Sequence, residues 1–354
     1  MSPSPSRRVG LASLPGCPGF SNPHPVVSLR STSGYKLGCL RHSFEGSRPR
    51  TCPHGLWPLD SGLNTSTDQT VENAKIDLIV SGLLPFKISP VNVFDLLFGS
   101  QRSFLTRSIF TTIEVGLRYF LFAGLAWVLA YGLFRRRWLH RKIIARFPLS
   151  AEVLREIGYS LLTLVIFGLV GAATITAARL GWTQMYWKLS DHSRAWFFGS
   201  VACTILLHDA YFYWTHRLMH HRRLFPLFHR VHHLSTNPSP WAAYSFAPAE
   251  AVVEAGIFPL AVMVLPIHPA AFGLAMLWQI VFNVAGHTGF EFHPRWLMNT
   301  PLRLILNTPT NHVMHHEKMR GNYGLYFNIW DRLMGTNHPD YESRFREVTS
   351  RPVS

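Results

Sequence analysis

The sequence predicts an all-α integral membrane protein, a helical bundle that carries a histidine-rich cap on its cytosolic side. Three observations lead to this fold class. Several apolar segments are long enough to cross a bilayer, which takes about 20 residues in a helix. Basic residues cluster in short loops beside these segments, as is typical of cytosolic loops. Thirteen of the nineteen histidines fall between His208 and His316.

The first 75 residues are rich in Ser, Pro, Gly and Arg, and the first 59 contain a single acid, Glu45. No apolar core follows the basic start, which argues against a secretory signal. The composition resembles an organelle transit peptide and fits a disordered tail or an over-extended reading frame equally well. We therefore predict that residues 1–75 are a disordered or targeting region.

The net charge and the cysteines exclude two function classes. A formal charge of +15 would suit nucleic acid, but no zinc-finger spacing or RNA-binding motif accompanies it. We therefore predict a membrane surface, and no nucleic acid, as the partner of the basic residues. The four cysteines form no Cys-x-x-Cys pair, so neither a disulfide framework nor a thiolate metal site is predicted.

Residues 76–194 are predicted to form membrane helices. Leu78–Phe98 is interrupted by prolines and charges, which favours an interfacial position, whereas Ile113–Phe134 is long enough to span. The basic run Arg135–Arg146 follows at once and places the connecting loop in the cytosol. Ile157–Ala178, 22 residues without a charge, is the clearest transmembrane helix.

Residues 195–345 are predicted to form the histidine-rich domain, followed by a tail at 346–354. The segment from Ala195 returns to the cytosolic side at the first histidine cluster. Val252–Leu265 and Ala270–Ala285 are each short for a full crossing, so we predict a helical hairpin that dips into the bilayer. The chain from Pro294 onward is polar.

The histidines of this domain have helical spacing. His216 and His220 are four residues apart and share a helix face, and Asp209 lies on the same stripe. Asp209 is therefore the candidate catalytic residue, as a carboxylate that orients an imidazole. His208 is rotated from His216 by roughly 80° and is a further candidate ligand. His287 stands alone.

Two further clusters repeat one pattern, with histidines at positions i, i+3 and i+4: His229, His232 and His233, and His312, His315 and His316. This spacing places three imidazoles on one helical face. The clusters together offer more nitrogen donors than one metal ion accepts, so we predict two metals. Few acids accompany the clusters, which argues against a hydrolytic di-zinc site. A nitrogen-rich di-iron centre beside a bilayer suits the oxidation of a lipid by dioxygen.

The clusters, taken together, resemble a known family. His208-Asp-Ala-Tyr-Phe-Tyr-Trp-Thr-His-Arg-Leu-Met-His220 resembles the first histidine box of the fatty acid hydroxylase/sterol desaturase superfamily, and His229-Arg-Val-His-His233 resembles the second. Asn311-His-Val-Met-His-His316 resembles the third. The resemblance covers about residues 195–345. It implies a membrane enzyme with two non-haem irons that uses dioxygen, and electrons from a b-type cytochrome or a ferredoxin with its reductase, to desaturate or hydroxylate a lipid.

The resemblance also implies the ligands. Many relatives have a histidine where this chain has Ala247 or Asn311, which removes two further contacts. The first and third boxes are most similar to the sterol desaturase branch, and hydroxylation of a fatty acyl chain, an ether lipid or a carotenoid is the alternative. The metal ligands implied by position are His208, His216, His220, His229, His232, His233, His287, His312, His315 and His316.

Two readings of another class stay open at this stage. A membrane metal-binding or transport protein would place acids and histidines along a path through the bilayer, whereas these clusters collect at helix ends. A haem protein with two histidine ligands would leave the repeated clusters unexplained. The endoplasmic reticulum, a plastid and the bacterial inner membrane all fit a cytosol-facing site.

Overall fold

The computed structural model describes Gly99 and residues 102–353, and this part of the chain is helical without a β-strand. The prediction of an all-α fold is therefore confirmed. The predicted N-terminal region 1–75 and the predicted interfacial segment 78–98 lie outside the described residues. The α-helices are α1 Phe104–Trp127, α2 Ser150–Arg179, α3 Arg194–Met219, α4 Phe225–Phe228, α5 Pro248–Ala255, α6 Ile257–Val264, α7 Pro269–His287, α8 Pro309–Lys318, α9 Ile329–Leu333 and α10 Tyr341–Ser350.

Four of these helices are long and apolar enough to cross a membrane. They are α1 with its π-helical continuation to Leu133 (30 residues), α2 (30 residues), α3 (26 residues) and α7 (19 residues). At 1.5 Å per residue, even 19 residues extend about 28 Å, close to the ~30 Å of a bilayer core. The prediction of an integral membrane bundle is confirmed to this extent.

Helix α7 departs from the predicted hairpin of two short segments. It extends from Pro269 to His287 without interruption. The His268 ring caps its start, because it accepts a hydrogen bond from the Ala270 amide (3.1 Å). The preceding segment breaks into α5 and α6 at Gly256. A side chain at Gly256 would collide with the hydroxyl group of Tyr211.

Helix α1 begins nine residues before the predicted start, at Phe104. The Ser103 hydroxyl accepts a hydrogen bond from the Thr106 amide (3.2 Å) and caps the helix. Two of the charges inside this helix neutralise each other, since Arg118 pairs with Glu114 at 2.7 Å. Pairing within the helix lowers the cost of placing both groups at membrane depth.

The bundle has an aromatic interior and an aliphatic exterior. The Tyr119 ring stacks on Tyr244 with 5.2 Å between centroids, and its hydroxyl donates to the Trp241 carbonyl oxygen. Leu105 and Leu117 of α1, by contrast, are about two-thirds exposed (68% and 67%). Exposed leucines on helices of this length fit contact with lipid tails.

The C-terminal helices form a cap joined to the loop between α1 and α2. Arg344 of α10 donates to the Ile143 carbonyl oxygen (2.9 Å), and Arg351 donates to that of Lys142 (2.6 Å). Residues 346–350, predicted as the start of a tail, continue α10, and Val348 is buried. The cap therefore lies beside the basic loop.

Candidate metal centre

Nine of the predicted histidine ligands converge in two groups. Within each group, one nitrogen from every ring lies within 4.8 Å of all the others. All of these rings are buried except that of His220, which is partly buried. The five-ring group consists of His216, His220, His229, His233 and His315, and the four-ring group consists of His232, His287, His312 and His316.

The spacing of the Nε2 atoms suits a metal ion. In the five-ring group, the Nε2 atom of His315 lies 3.1 Å from that of His220 and 3.0 Å from that of His233. In the four-ring group, the Nε2 atom of His287 lies 2.9 Å from that of His312 and 3.2 Å from that of His316. Metal–nitrogen bonds of about 2.0–2.1 Å place adjacent ligand nitrogens about 3 Å apart.

The backbone fixes the tautomers that leave these nitrogens free to bind. The Nδ1 atom of His287 is 2.7 Å from the Asn283 carbonyl oxygen, and that of His232 is 3.4 Å from the Ser245 carbonyl oxygen. A carbonyl oxygen only accepts, so both Nδ1 atoms donate and both Nε2 atoms carry a lone pair. The two Nε2 atoms lie 3.3 Å apart, so their lone pairs face and repel each other. A cation between them would turn this repulsion into ligation.

Burial keeps these rings uncharged. It is the main cause that lowers the pKa of His220 to about 2, and the nearby His315 ring adds to the effect. A neutral imidazole is the form that coordinates a metal. For the six other rings that lie outside the spanning helices, burial first and the neighbouring histidines second lower the pKa well below the usual value: His229, His232, His233, His312, His315 and His316.

Each of the two sequence clusters with histidines at i, i+3 and i+4 divides between the two groups. His229 and His233 belong to the five-ring group, whereas His232 belongs to the four-ring group. The prediction of three imidazoles on one helical face is wrong for this cluster. Its residues follow the four-residue α4 and enter the 3₁₀ helix His232–Leu234, so they do not lie on one α-helical face.

The third cluster lies on α8 and divides in the same way. His315 belongs to the five-ring group, whereas His312 and His316, one turn apart, belong to the four-ring group. Asn311 beside them donates a hydrogen bond to the Asn337 side chain (3.3 Å). Ala247, the other departure from the family pattern, is the N-cap of α5.

A carboxylate orients one of the imidazoles, and it is Glu250. Its Oε1 atom lies 2.5 Å from the Nδ1 atom of His229, and Glu250 is fully buried. Asp209, which was predicted for this role, instead accepts hydrogen bonds from the Tyr326 and Phe327 amides (both 3.1 Å). No feature of the sequence would place Glu250 behind a histidine 21 residues away.

His208 lies outside both groups. Its Nδ1 atom is 2.8 Å from the Tyr326 hydroxyl oxygen, and the ring is buried. The ring packs edge to face against Phe212, whose own ring contacts His216. The Phe212 ring therefore lies between His208 and the five-ring group.

Comparison with known proteins finds similarity in the histidine-box region. Residues 201–336 match the family model described as fatty acid hydroxylase. Lathosterol oxidase of Mus musculus is 26% identical over 242 residues, which cover 67% of this chain and 77% of the relative. The Delta(7)-sterol 5(6)-desaturase ERG3B of Gibberella zeae is 26% identical over 207 residues, 58% of this chain and 61% of the relative.

A third relative, the Delta(7)-sterol 5(6)-desaturase erg31 of Schizosaccharomyces pombe, is 26% identical over 218 residues, 60% of this chain and 69% of the relative. The alignments thus span 61% to 77% of the lengths of these three proteins. No solved structure matches the chain. The family-model match and these relatives support a place for the histidine-box region in the fatty acid hydroxylase/sterol desaturase superfamily, and with it the class of lipid oxidoreductases.

Proposed function

We propose that this protein is a membrane-bound di-iron oxidoreductase that uses dioxygen to desaturate a sterol. The observation that carries the proposal is the pair of neutral histidine groups with mutually facing nitrogens at the end of a membrane bundle. A structural zinc site needs four ligands, so nine converging rings suit two metals. Both groups consist of histidines alone, and Glu250 contacts one ring on its Nδ1 side, which fits iron better than a di-zinc centre with bridging carboxylates.

The chain holds and shields such a centre. The rings of the five-ring group and the four-ring group would bind the irons through Nε2. In five of them the Nδ1 atom faces a backbone carbonyl or Glu250: His216, His229, His232, His287 and His315. When bound, two irons supply the redox chemistry that lets dioxygen attack an unactivated C–H bond. The buried aromatic interior keeps water away from that reaction.

The substrate assignment rests on the relatives. Two of those compared are named Delta(7)-sterol 5(6)-desaturases and one is named lathosterol oxidase. We therefore place a Δ7-sterol first. Hydroxylation of a fatty acyl chain or another lipid is the second candidate, because the matching family model is that of fatty acid hydroxylases.

The side of the membrane follows from the basic loop. Its backbone contacts the residues just after α7, since the Ile143 amide donates to the Gly289 carbonyl oxygen (3.0 Å) and the Glu291 amide to that of Arg141 (2.9 Å). The histidine groups and Arg135–Arg137 therefore lie at one end of the bundle. By the positive-inside rule we propose that this end is cytosolic, where a b-type cytochrome or a ferredoxin would deliver electrons.

The test combines metal content with product chemistry. The protein is purified in detergent as wild type, His232→Ala and His315→Ala, and iron is measured in each. The same three are expressed in a host that accumulates a Δ7-sterol. We expect about two irons per wild-type chain and a conjugated 5,7-diene sterol, recognised by its ultraviolet absorption, and loss of the diene in both variants.

The alternatives give different results. A hydroxylated lipid without the diene would favour the second candidate. Wild-type protein without iron above background, or with one metal that both variants retain, would contradict the di-iron centre and favour a metal-binding or transport role.

A further inference from the structure

Two adjoining cavities lead from the membrane bundle toward the four-ring group. The larger one has a volume of about 370 Å³ and is lined mainly by apolar residues of α1, α2, α6 and α7. This volume lies within the range of roughly 300–1,000 Å³ that is usual for small-molecule sites. The smaller one, about 20 Å³, shares Val115, Phe167 and Met276 with it.

The small cavity ends close to the candidate metal centre. Phe246 lines it, and the Phe246 ring lies 5.1 Å from the ring of His232. His208 lines it as well and lies near the five-ring group through Phe212. A chemical group bound in the small cavity would therefore be separated from the candidate metal ligands by a single side chain.

Glu254 faces this small cavity. The residue is 7% exposed, and its carboxyl group makes no hydrogen bond or ion pair with the part of the chain that the structure describes. Arg118, which also lines the cavity, is already paired with Glu114. A buried carboxyl group without a partner is costly, so a ligand or a water molecule must satisfy it.

The size of the small cavity restricts that ligand. About 20 Å³ is enough for one water-sized group, since a water molecule needs about 10–15 Å³. A carboxylate, thioester or phosphate head group is too large, whereas a single hydroxyl fits. Gln279, in the same cavity, accepts a hydrogen bond from the Tyr244 hydroxyl (2.9 Å) and offers its amide nitrogen as a second contact.

We propose that Glu254 and Gln279 bind the hydroxyl group of a sterol, whose apolar body occupies the large cavity. This inference deepens the proposed function and rests on it. Because the hydroxyl site is close to the metal ligands, the oxidised carbon must lie within a few bonds of the hydroxyl-bearing carbon. Position 5 of a sterol is two carbon–carbon bonds from carbon 3, which bears the hydroxyl, and this matches the reaction named for the relatives.

The experiment measures binding, without turnover. Purified wild-type protein, Glu254→Leu, Gln279→Leu and Val252→Ala bind tritiated lathosterol, which is competed with unlabelled lathosterol, its 3-deoxy analogue and stearic acid. Val252 is the matched control, since it lies on the same helix as Glu254 with its side chain exposed. Iron content and thermal unfolding verify that each variant is folded.

We expect wild type and Val252→Ala to prefer lathosterol over the deoxy analogue by roughly 10- to 100-fold, the range that one hydrogen bond to a carboxyl group supplies. Glu254→Leu should reduce this preference to near unity and leave the affinity for the deoxy analogue intact. Gln279→Leu should reduce it in part, and this variant decides the question if Glu254→Leu does not fold. Retention of the wild-type preference in the folded variants would overturn the inference and leave Glu254 satisfied by water alone.

Failure of this inference can be told from failure of the proposed function. If the enzyme produces the 5,7-diene while Glu254→Leu keeps the wild-type hydroxyl preference, only the hydroxyl site is wrong. If the hydroxyl preference depends on Glu254 but no sterol is oxidised, the site holds and the sterol desaturase assignment is wrong.

Discussion

In the five-ring group, oxygen atoms hold three of the rings from behind: Glu250, the Tyr323 carbonyl and the Gly321 carbonyl each lie 2.5–2.8 Å from an Nδ1 atom. In the four-ring group, only His287 has so short a contact, to the Asn283 carbonyl oxygen at 2.7 Å. One of these three contacts of the five-ring group comes from a carboxylate, that of Glu250. Two groups with similar nitrogen spacing are thus supported to different degrees.

The remaining rings of the four-ring group depend more on the metal. The Nδ1 atoms of His312 and His316 are buried and have no hydrogen-bond partner among the described residues, and the contact of His232 with its carbonyl is long at 3.4 Å. Acceptors behind a ligand fix its orientation and raise its basicity. We infer that the five-ring group is arranged by the protein before metal binds, and that the four-ring group is arranged largely by its metal.

The largest expected effect comes from removing one ring of each group. His316→Ala leaves three rings with little support, so we expect loss of the metal of the four-ring group and of all product. His220→Ala leaves four rings in the five-ring group, three of them held by oxygen atoms, so we expect that metal to be retained with weakened affinity. Iron per chain after dialysis against a chelator measures the difference.

The same pair of variants contains its own control. Both replace a histidine by alanine, and each of the two rings has a nitrogen within 4.8 Å of the ligand nitrogens of its group. If His220→Ala loses iron as completely as His316→Ala does, support from behind the rings does not decide metal retention. The contrast between the two groups would then be wrong.

The second effect is that of the carboxylate. Glu250→Gln keeps the shape of the side chain and removes its charge, so the His229 ring loses its strongest acceptor. Removing such a partner typically costs about 10- to 100-fold in metal affinity or activity. Ser245→Ala is the control, because the buried Ser245 hydroxyl has no partner among the described residues. Equal chelator sensitivity of the two variants would show that the charge of Glu250 does not stabilise the metal.

The sequence predicts the ring positions better than their grouping. Four-residue spacing correctly pairs His216 with His220, and His312 with His316, because both pairs lie on regular helices. The i+3 ring departs from this pairing in both of the longer clusters, since His232 and His315 each join the other group, although His315 lies on the α-helix α8. Spacing along the sequence therefore pairs the rings that are four residues apart but does not tell which group the i+3 ring joins.

The supports of the rings could not be predicted for a different reason. Most are backbone carbonyls, such as those of Tyr323 and Gly321. Every residue has a backbone carbonyl, so the pattern of side chains in the sequence does not indicate which carbonyl will contact a ring. Gly321 has φ +70, and a side chain there would meet the Thr336 carbonyl oxygen at 2.8 Å, so the turn itself requires glycine. Contacts across the fold, such as that of Glu250 with His229, follow from tertiary packing alone.

The third effect tests whether Asp209 is catalytic or positions the loop behind the five-ring group. Asp209→Asn keeps the oxygen that accepts the Tyr326 and Phe327 amides, so we expect normal folding and activity within about an order of magnitude of wild type. Asp209→Ala leaves the buried Tyr326 amide without an acceptor, at a cost of about 1–3 kcal/mol, and also removes the acceptor of the partly buried Phe327 amide. Thermal unfolding and activity per bound iron distinguish the two.

A catalytic Asp209 would give another pattern. Asp209→Asn would then unfold at the wild-type temperature yet lose activity as fully as Asp209→Ala. A positioning role predicts instead that Asp209→Ala loosens the five-ring group first, because its amide partners belong to the segment that follows Tyr323.

The smallest effect concerns Lys142, which supports the end of α7 beside the four-ring group. Its Nζ atom donates to the Asn237 side chain and to the Gly289 carbonyl oxygen (both 3.3 Å), and the residue is 1% exposed. Burial, with a further contribution from Arg146, lowers the pKa of Lys142 from 10.5 to about 7. Between these two values the unfolded chain binds a proton that the folded chain does not.

Stability should therefore fall as the pH decreases from about 10.5 to 7, and this loss should be absent from Lys142→Met. The quantity to measure is the unfolding temperature of the variant minus that of wild type, which we expect to be greater at pH 7 than at pH 10. Each kcal/mol would correspond to about 2–4 °C in a protein of this size class. A difference independent of pH would mean that Lys142 stays charged in the fold, and that its two oxygen contacts stabilise α7 as an ion rather than as a neutral amine.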